Sequence, residues 1–421
     1  MVEERRNWAG NVTYQAARVY QPATLAEVQA LVAGSRTIKA LGSRHSFNTI
    51  ADSPGEHISL ERLAPRVTID RERRTATVAA GVRYGELGQQ LHRAGFALTN
   101  LASLPHISVA GACATATHGS GDRNGNLATA VAALELVTAD GTVVRLSERD
   151  GDAFRGAAVG LGALGVVTAL TLSLVPTFAI SQVVYENLAL DMLLAHFDEI
   201  TGSAYSVSLF TDWRDARFNQ VWLKQRVTDE DTAELNPDFF DARPAARKLH
   251  PIASLSAESC TEQLGLPGPW YERLTHFRPD VLPSSGDELQ SEYFVPRQHA
   301  RAALQAIAGL RDRIAPLLQI AEVRTIAADD LWLSPCYERD SVAFHFTWTP
   351  DWPAVSQFLP VLEDQLAPFD VRPHWGKLFT LAPARLHALY PKLPDFQALL
   401  RRYDPQGKFR NAFLAAYVVG A

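Results

Sequence analysis

The stretch Leu104-Pro-His-Ile-Ser-Val-Ala-Gly-Ala-Cys-Ala-Thr-Ala-Thr-His-Gly-Ser-Gly121 carries almost no bulky side chain between Val109 and Gly121. Small residues in succession let backbone approach another body closely, and serine and threonine hydroxyls beside bare amides suit a pyrophosphate. A merely structural loop does not need so many, so the stretch reads as a cofactor loop. A second stretch, Leu41-Gly-Ser-Arg-His-Ser-Phe47, follows a strand-like segment and sets small residues around His45. Successive backbone N–H groups in such a turn can form an anion nest. Taken alone, the segment favours the plainer reading of a surface turn with an ordinary loop histidine. A third, Gly160-Leu-Gly-Ala-Leu-Gly165, fits the dinucleotide spacing but precedes a strand, Val166 to Leu174. Rossmann glycines follow a strand and open a helix, so a tight turn is the better reading here than a nicotinamide Rossmann domain.

The rest of the composition narrows the class. The 421 residues exceed one ordinary core, and 40 Lys plus Arg against 46 Asp plus Glu give a net charge of −6. That acidic balance argues against a nucleic-acid groove or an anionic membrane surface as partner. The longest apolar run, Val166 to Val175, is far short of a membrane span. Met1 to Asn7 is charged and lacks the apolar core of a secretory signal. Cys113, Cys260 and Cys336 show neither metal spacing nor a paired framework, which fits a reducing cytoplasm. The expectation is a cytoplasmic protein without a bound metal and without a Gly-x-Ser-x-Gly nucleophile elbow.

The first unit spans residues 7–176. Thr24 to Glu27 reads as a capping box opening a helix with Leu25, Val28, Leu31 and Val32 on one face, closed by Gly34. Ile38 to Leu41, Arg73 to Ala80 and Val166 to Val175 read as strands, and Tyr84 to Ala94 as a helix. Val131 to Thr138 and Thr142 to Leu146 flank Ala-Asp-Gly as a hairpin. The second unit, residues 177–371, places helices at Asp191 to Ile200, Gln298 to Ile314 and Trp352 to Leu366. Its strands are Val207 to Trp213, Val221 to Gln225, Leu289 to Val295, Ala321 to Ile326 and Ser341 to Trp348, with irregular loops over Thr228 to Ser285. Strands followed by helices suggest an α+β antiparallel sheet with one helical face. Residues 372–421 form a segment that returns toward the first unit.

Two of these strands carry chemistry. In Ala321-Glu-Val-Arg-Thr325, period-two alternation puts Glu322 and Arg324 on one face. In the next, Val342, Phe344, Phe346 and Trp348 share one face while His345 and Thr347 share the other. Such strands can pack a core on one side and line a wet pocket on the other. Read alone, a solvent-facing Glu–Arg pair of small energetic weight explains them better, and Lys377 in His374-Trp-Gly-Lys reads as a solvated lysine.

The motifs together alter that balance. Gly42-Ser-Arg-His-Ser-Phe47 joined to Ser108-Val-Ala-Gly111 and Thr117-His-Gly-Ser-Gly121 resembles the FAD-binding domain of vanillyl-alcohol-oxidase-type flavoproteins. Asn7-Trp-Ala-Gly-Asn11, Ala102-Ser-Leu-Pro-His-Ile-Ser108, Ser206-Val-Ser-Leu-Phe-Thr-Asp-Trp213, Cys260-Thr-Glu-Gln263, Pro373-His-Trp-Gly-Lys377 and Gly407-Lys-Phe409 resemble the alditol oxidases within that family. The likeness spans nearly the whole chain. It implies a two-domain PCMH-type fold with extended FAD in the first domain and an α+β cap over the flavin ring. It implies that His45 bonds covalently to the flavin 8α-methyl carbon. Family members carry Gly-Ser-Gly-His there, whereas this chain has Arg44, a departure at a position where glycine offers positive φ.

The cofactor-binding residues implied are Leu41, Gly42, Ser43, Arg44, His45, Ser46, Phe47, Ser103, Ser108 and Gly111. Thr115, Ala116, Thr117, His118, Gly119, Gly165, Val166 and His374 complete that set. The substrate residues implied are Ser103, Gln290, Glu322, Arg324, His345, Thr347 and Lys377, with Lys377, His345, Glu322 and Arg324 the catalytic group. The implied reaction oxidises the terminal alcohol of a linear polyol such as xylitol or sorbitol to the aldose, by hydride transfer to flavin N5. O2 is then reduced to H2O2. A sugar-lactone oxidase or dehydrogenase of the same family remains open, as does a flavin- or sugar-binding protein without turnover.

Overall fold

Thr24 starts the first helix because its side chain closes the expected capping box. Thr24 Oγ1 accepts from Glu27 N at 3.3 Å, and Glu27 Oε2 accepts from Thr24 N at 3.3 Å. The helix Leu25–Gly34 buries Val28 and Val32. These pack with Ile38 and Ile58 of a small parallel sheet formed by β1 (Arg18–Tyr20), β2 (Ile38–Ala40) and β3 (Glu56–Ile58), in the order β1-β3-β2. The structure is a computed structural model that describes residues 5–64, 66–227, 237–281 and 287–420.

A second, antiparallel sheet contains β4 (Val67–Asp70), β5 (Thr75–Ala79), β6 (Val131–Val137), β7 (Val143–Ser147) and β8 (Val166–Ser173), ordered β4-β5-β8-β6-β7. β6 and β7 form the hairpin expected over Ala-Asp-Gly. Its turn is fixed by Asp140 Oδ1, which accepts from Thr142 N at 3.0 Å and Thr138 Oγ1 at 2.7 Å. The Gly160-to-Gly165 turn runs from the helix Asp152–Ala158 into β8, with Leu161 and Gly162 at φ +53° and +62°. No helix opens after these glycines, which removes the Rossmann reading on geometry.

The large sheet comprises β9 (Ala179–Ala189), β10 (Ser206–Thr211), β11 (Arg217–Val227), β12 (Leu289–Pro296), β13 (Leu318–Ile326) and β14 (Ser341–Trp348). Its order is β9-β11-β10-β13-β14-β12, all antiparallel. One face is apolar: Val342, Phe344, Phe346 and Trp348 pack with Leu304 and Ile307 of the helix Ala300–Ala308 and with Phe358, Leu359 and Leu362 of the helix Trp352–Leu366. The other face holds a smaller apolar cluster of Val184, Phe210, Trp222 and Ile320 and, along the middle of β12, β13 and β14, polar side chains. The architecture is α+β, as expected.

Three local readings are corrected. The helix expected over Asp191 to Ile200 is two, Leu190–Ala195 and Phe197–Thr201, because His196 leaves the helical basin at φ −119°. The helix expected over Gln298 to Ile314 breaks after Ala308, where Gly309 is the C-cap, and resumes at Arg311–Ile314. Strand β9 has no counterpart in the sequence reading; it is buried along most of both faces, which erases the alternation that marks a strand. The loops expected over Thr228 to Ser285 include residues 228–236 and 282–285, which lie outside the described residues. The described part holds only short elements such as Ala257–Ser259 and Trp270–Arg273.

Beyond β14 and the helix Trp352–Leu366, Arg372–Pro373 pairs with β12 at the sheet edge. The helix Leu393–Tyr403 then buries Phe396 and Leu400 in the core that holds Val78, Leu170 and Leu172 of the second sheet. No helix among the described residues is long and apolar enough to cross a membrane.

Candidate active site

A cavity of about 670 Å³ lies between the loops of the first sheets and the polar face of the large sheet. Leu41, Gly42, Ser43, Arg44, His45, Ser46 and Phe47 line it where the chain leaves β2. Ser103, Ser108, Gly111, Thr115, Thr117 and His118 line it from the small-residue loop, and Gly165 and His374 close it. Three residues of the expected cofactor set do not reach it. Ala116 is buried at φ +53° in the core of the second sheet. Gly119 is pressed against Leu101 O and Asn100 Oδ1, so that a Cβ there would collide with both. Val166 packs with Val28, Val32 and Ile38.

The loops have the form of a cradle. A Cβ on Gly42 would stand 2.6 Å from Ser108 Oγ, and one on Gly111 would stand 2.7 Å from it. Both glycines therefore permit a close approach that a side chain would block. Ser108 Oγ itself is buried with no hydrogen-bond partner among the described residues. A buried hydroxyl without a partner is costly unless a ligand satisfies it, and a phosphate oxygen is a fitting acceptor. The residues present thus fit FAD.

His45 sits at the edge of this cradle. Its Nδ1–H donates to Ser43 O at 2.9 Å, and its ring stacks on Trp8 at 5.2 Å between centroids. Burial pushes its pKa down to about 4, so the imidazole is neutral at physiological pH and keeps a lone pair for bonding. Arg44, immediately before it, adopts φ +63°, the conformation the sequence departure raised.

On the large sheet, register builds the site. Glu322 of β13 and Glu292 of β12 both lie directly opposite His345 of the central β14. Gln290 lies opposite Thr347, and Arg324 follows Glu322 by two. All six therefore project from one face, and all six line the cavity. Lys377 arrives from the tail. Arg372–Pro373 extends β12, His374 N donates to Glu292 O at 2.9 Å, and Leu378 N donates to Gln290 O at 2.8 Å. The turn between them carries Lys377 beside Glu292. It is fastened to the cofactor loop: Phe47 N donates to Gly376 O, and Asn48 Nδ2 donates to Trp375 O and Lys377 O at 2.8 and 2.7 Å.

Glu292 is the hub of the resulting network. Its Oε1 accepts from Arg324 at 2.6 Å and from His118 Nε2 at 3.1 Å, and its Oε2 accepts from Lys377 Nζ at 2.7 Å. Burial pushes its carboxyl up, but the charges of Lys377, His118 and Arg324 outweigh burial and hold it well below the usual range. Lys377 Nζ also donates to His345 Nδ1 at 2.7 Å, so the proton of the neutral His345 resides on Nε2, which faces Thr347 Oγ1 at 3.1 Å. Burial, and then the charge of Lys377, hold His345 well below the ordinary histidine value. Burial likewise lowers Lys377 from the ordinary lysine value, opposed by Glu292. Arg324 further donates to Ser103 Oγ at 3.2 Å and lies 3.4 Å from Glu322 Oε2.

The expected substrate residues Ser103, Gln290, Glu322, Arg324, His345, Thr347 and Lys377 are thus brought together at one wall of the cavity. Sequence reasoning missed Glu292, which β12 presents two residues after Gln290. A carboxylate inside the otherwise uncharged run Leu289–Pro296 was the available signal. It also missed Lys224 and His276. His276 Nε2 donates to Glu322 Oε1 at 2.8 Å, and Lys224 Nζ faces His276 Nδ1 at 3.1 Å. Among the described residues, no group of His, Cys, Asp and Glu could hold a metal ion.

Comparison with known proteins gives a consistent picture. The family model described as FAD binding domain matches residues 16–147, and that described as D-arabinono-1,4-lactone oxidase matches residues 287–417. An alditol oxidase from a Streptomyces species is 53% identical over 411 residues, 97% of each chain. L-gulonolactone oxidase of Mus musculus is 28% identical and L-gulono-1,4-lactone dehydrogenase of Mycobacterium tuberculosis 29% identical, each over 97% of both chains. Cholesterol oxidase from B. sterolicum superposes with a TM-score of 0.79 at 14% identity, covering 98% of this chain and 96% of that one, which speaks to the fold alone.

Proposed function

The chain belongs to the alditol oxidase family, and from that premise we propose that it oxidises the terminal primary alcohol of a linear polyol such as xylitol or sorbitol. FAD is its cofactor, O2 the final acceptor, and the balance is R–CH2OH + O2 → R–CHO + H2O2. The observation that carries this reading is the Lys377–His345 pair standing beside Glu322 and Arg324 on the wall of the cavity that the cofactor loops line.

Bound FAD supplies the two-electron acceptor for the hydride of the alcohol carbon. The chain's own groups do the rest. Glu322 and Arg324 grip the inner hydroxyls and fix the register of the polyol. The Lys377 ammonium hydrogen-bonds the reacting oxygen and stabilises its developing negative charge. The hydroxyl proton passes to His345 Nδ1, the lone pair that otherwise accepts from Lys377. Thr347 keeps the imidazole in the required tautomer, and Glu292 keeps Lys377 charged and in place. His45 would hold the flavin covalently through Nε2, left free by the Nδ1 bond to Ser43 O: the new N–C bond replaces a C–H bond of the 8α-methyl group, with the proton lost to water and the electron pair passed through the flavin to O2.

Two measurements test this. Anaerobic mixing with xylitol is expected to bleach the flavin absorbance; failure with every polyol tried overturns the reading. Acid precipitation is expected to leave the yellow colour in the pellet for the wild type and in the supernatant for His45→Ala. Colour in the wild-type supernatant rejects the covalent bond while leaving the fold intact. Sugar-lactone oxidation is the second reading, favoured by the lactone-oxidase match over residues 287–417. Faster bleaching by an aldonolactone than by xylitol would select it.

A further inference from the structure

Beside the substrate wall, and ending at His276 in the cavity lining, runs a buried line of charge that the reaction as described does not use. Lys224 projects from the middle of β11, where it is almost fully buried. Its Nζ donates to Leu274 O at 2.6 Å and to Thr275 O at 2.9 Å, and approaches His276 Nδ1 at 3.1 Å. Two of the three partners are carbonyls, which only accept, so the ammonium spends its third N–H on the imidazole. His276 Nδ1 is therefore the acceptor, the ring proton sits on Nε2, and that proton points to Glu322 Oε1 at 2.8 Å. Phe210 and Trp222 hold the ring edge-on, at 5.5 and 5.2 Å between centroids. The backbone of His276 donates to Ser103 O at 3.0 Å, which ties this segment to the loop of the cavity.

We infer that Lys224 and His276 are positioning residues for polyol recognition. Lys224 fixes His276 as an Nε2–H donor, and His276 anchors one oxygen of Glu322 so that the other faces the inner hydroxyls of the substrate together with Arg324. His276 lines the cavity, but both its ring nitrogens are engaged, so it has none left to bind a hydroxyl and acts through Glu322. The groups facing the imidazole are Lys224 from β11 and Glu322 and Arg324 from β13. Burial, and then the charge of Lys224, push His276 down to about 4, which agrees with a neutral donor. Without that anchor Glu322 would swing about its side-chain torsions and lose a charge-assisted hydrogen bond. The inference rests on the reading of Glu322 as a ligand of the polyol.

The test compares His276→Gln with His276→Asn. A glutamine amide reaches the place of Nε2 and can still donate to Glu322, whereas an asparagine amide ends near Nδ1 and can satisfy only Lys224. Flavin reduction is followed with xylitol and with propane-1,3-diol, which has a terminal hydroxyl to react and no inner hydroxyl. His276→Asn is expected to raise KM for xylitol tenfold or more and leave KM for the diol within about twofold, with flavin content unchanged. His276→Gln is expected to keep the xylitol KM within about threefold. In a Glu322→Ala background, His276→Asn is expected to have no further effect on KM. Equal behaviour of the two substitutions, an equal rise for both substrates, or a penalty that persists in the Glu322→Ala background overturns the inference. A wild type that no polyol bleaches overturns the alditol reading and this inference with it. A bleached wild type beside an unaffected His276→Asn variant overturns the inference alone.

Discussion

Replacing Glu292 by glutamine removes one charge from the centre of the network while keeping its shape. The carboxylate presents acceptors in two directions, Oε1 toward Arg324 and His118 and Oε2 toward Lys377. An amide has one acceptor, so with its oxygen turned to Arg324 its N–H₂ confronts the Lys377 ammonium at a spacing of 2.7 Å. Two effects follow. A charge-assisted hydrogen bond contributes about 1.5–3 kcal/mol, and its loss at the group that steadies the reacting oxygen slows flavin reduction roughly ten- to a hundredfold. Leaving Lys377 and Arg324 buried without their shared counter-ion costs about 3–5 kcal/mol of stability, the usual result of breaking one side of a buried pair. The sign of the pH effect is also fixed. Glu292 raises the pKa of Lys377 against burial, so its neutralisation lets Lys377 lose its proton at lower pH and draws the alkaline limb of activity downward. The assay is anaerobic stopped-flow reduction by xylitol across the pH range, with thermal unfolding alongside. A Glu292→Gln enzyme with wild-type reduction rate and an unmoved alkaline limb would refute the reasoning.

Other outcomes are as definite. Glu322→Ala and Arg324→Ala should each cut xylitol turnover tenfold or more while the protein stays yellow; loss of bound flavin instead would assign them to the fold. In the wild type, His345 must be neutral to take the proton, and burial with the charge of Lys377 holds it below the ordinary 6.5. The acid limb of kcat/KM therefore lies below pH 6.5, and a limb at 6.5 or above contradicts that role. Rising pH deprotonates Lys377, which burial holds below the ordinary 10.5, so activity declines before pH 10.5 is reached. Arg44→Gly relieves a left-handed residue at φ +63° whose strain costs about 1–2 kcal/mol. Part of that relief is offset by about 0.4–1 kcal/mol of added chain freedom in the unfolded state. Denaturant unfolding should show a gain of up to about 1.5 kcal/mol with flavin content unchanged; a clear loss means that the Arg44 side chain holds the loop.

The strands that carry the substrate wall were readable because one face of each packs on helices and the other does not. β14 shows this most plainly, with Phe344, Phe346 and Trp348 inward and His345 and Thr347 toward the cavity. The loop Leu104 to Gly121 was readable from the small residues that a cradle requires, whereas the Leu41-to-Phe47 turn, alone, read as a surface turn and took its role only from the resemblance. What stayed hidden depends on which strands become neighbours. Glu292, Glu322 and His345 stand abreast only because β12 and β13 flank β14 in a particular register, and local alternation does not encode that. Lys224 lies in a strand whose charged residue looks solvent-bound until the Leu274-to-His276 segment covers it. β9 was invisible for the opposite reason, since burial on both faces leaves no period to detect.

The stitch between Asn48 and the Lys377 turn joins positions 329 residues apart in the chain. The centre that handles substrate is therefore among the last parts of the protein to exist as it emerges from the ribosome. Most loops of the flavin cradle are made early, but Lys377, the ammonium proposed to act on the alcohol, arrives only when nearly nine-tenths of the chain has been made. Non-local contacts of this kind form late and slowly. Phe396 and Leu400 also complete the core under the second sheet, so a nascent or C-terminally clipped chain lacks both this ammonium and part of the support of the cradle, and oxidising activity waits until synthesis is all but complete.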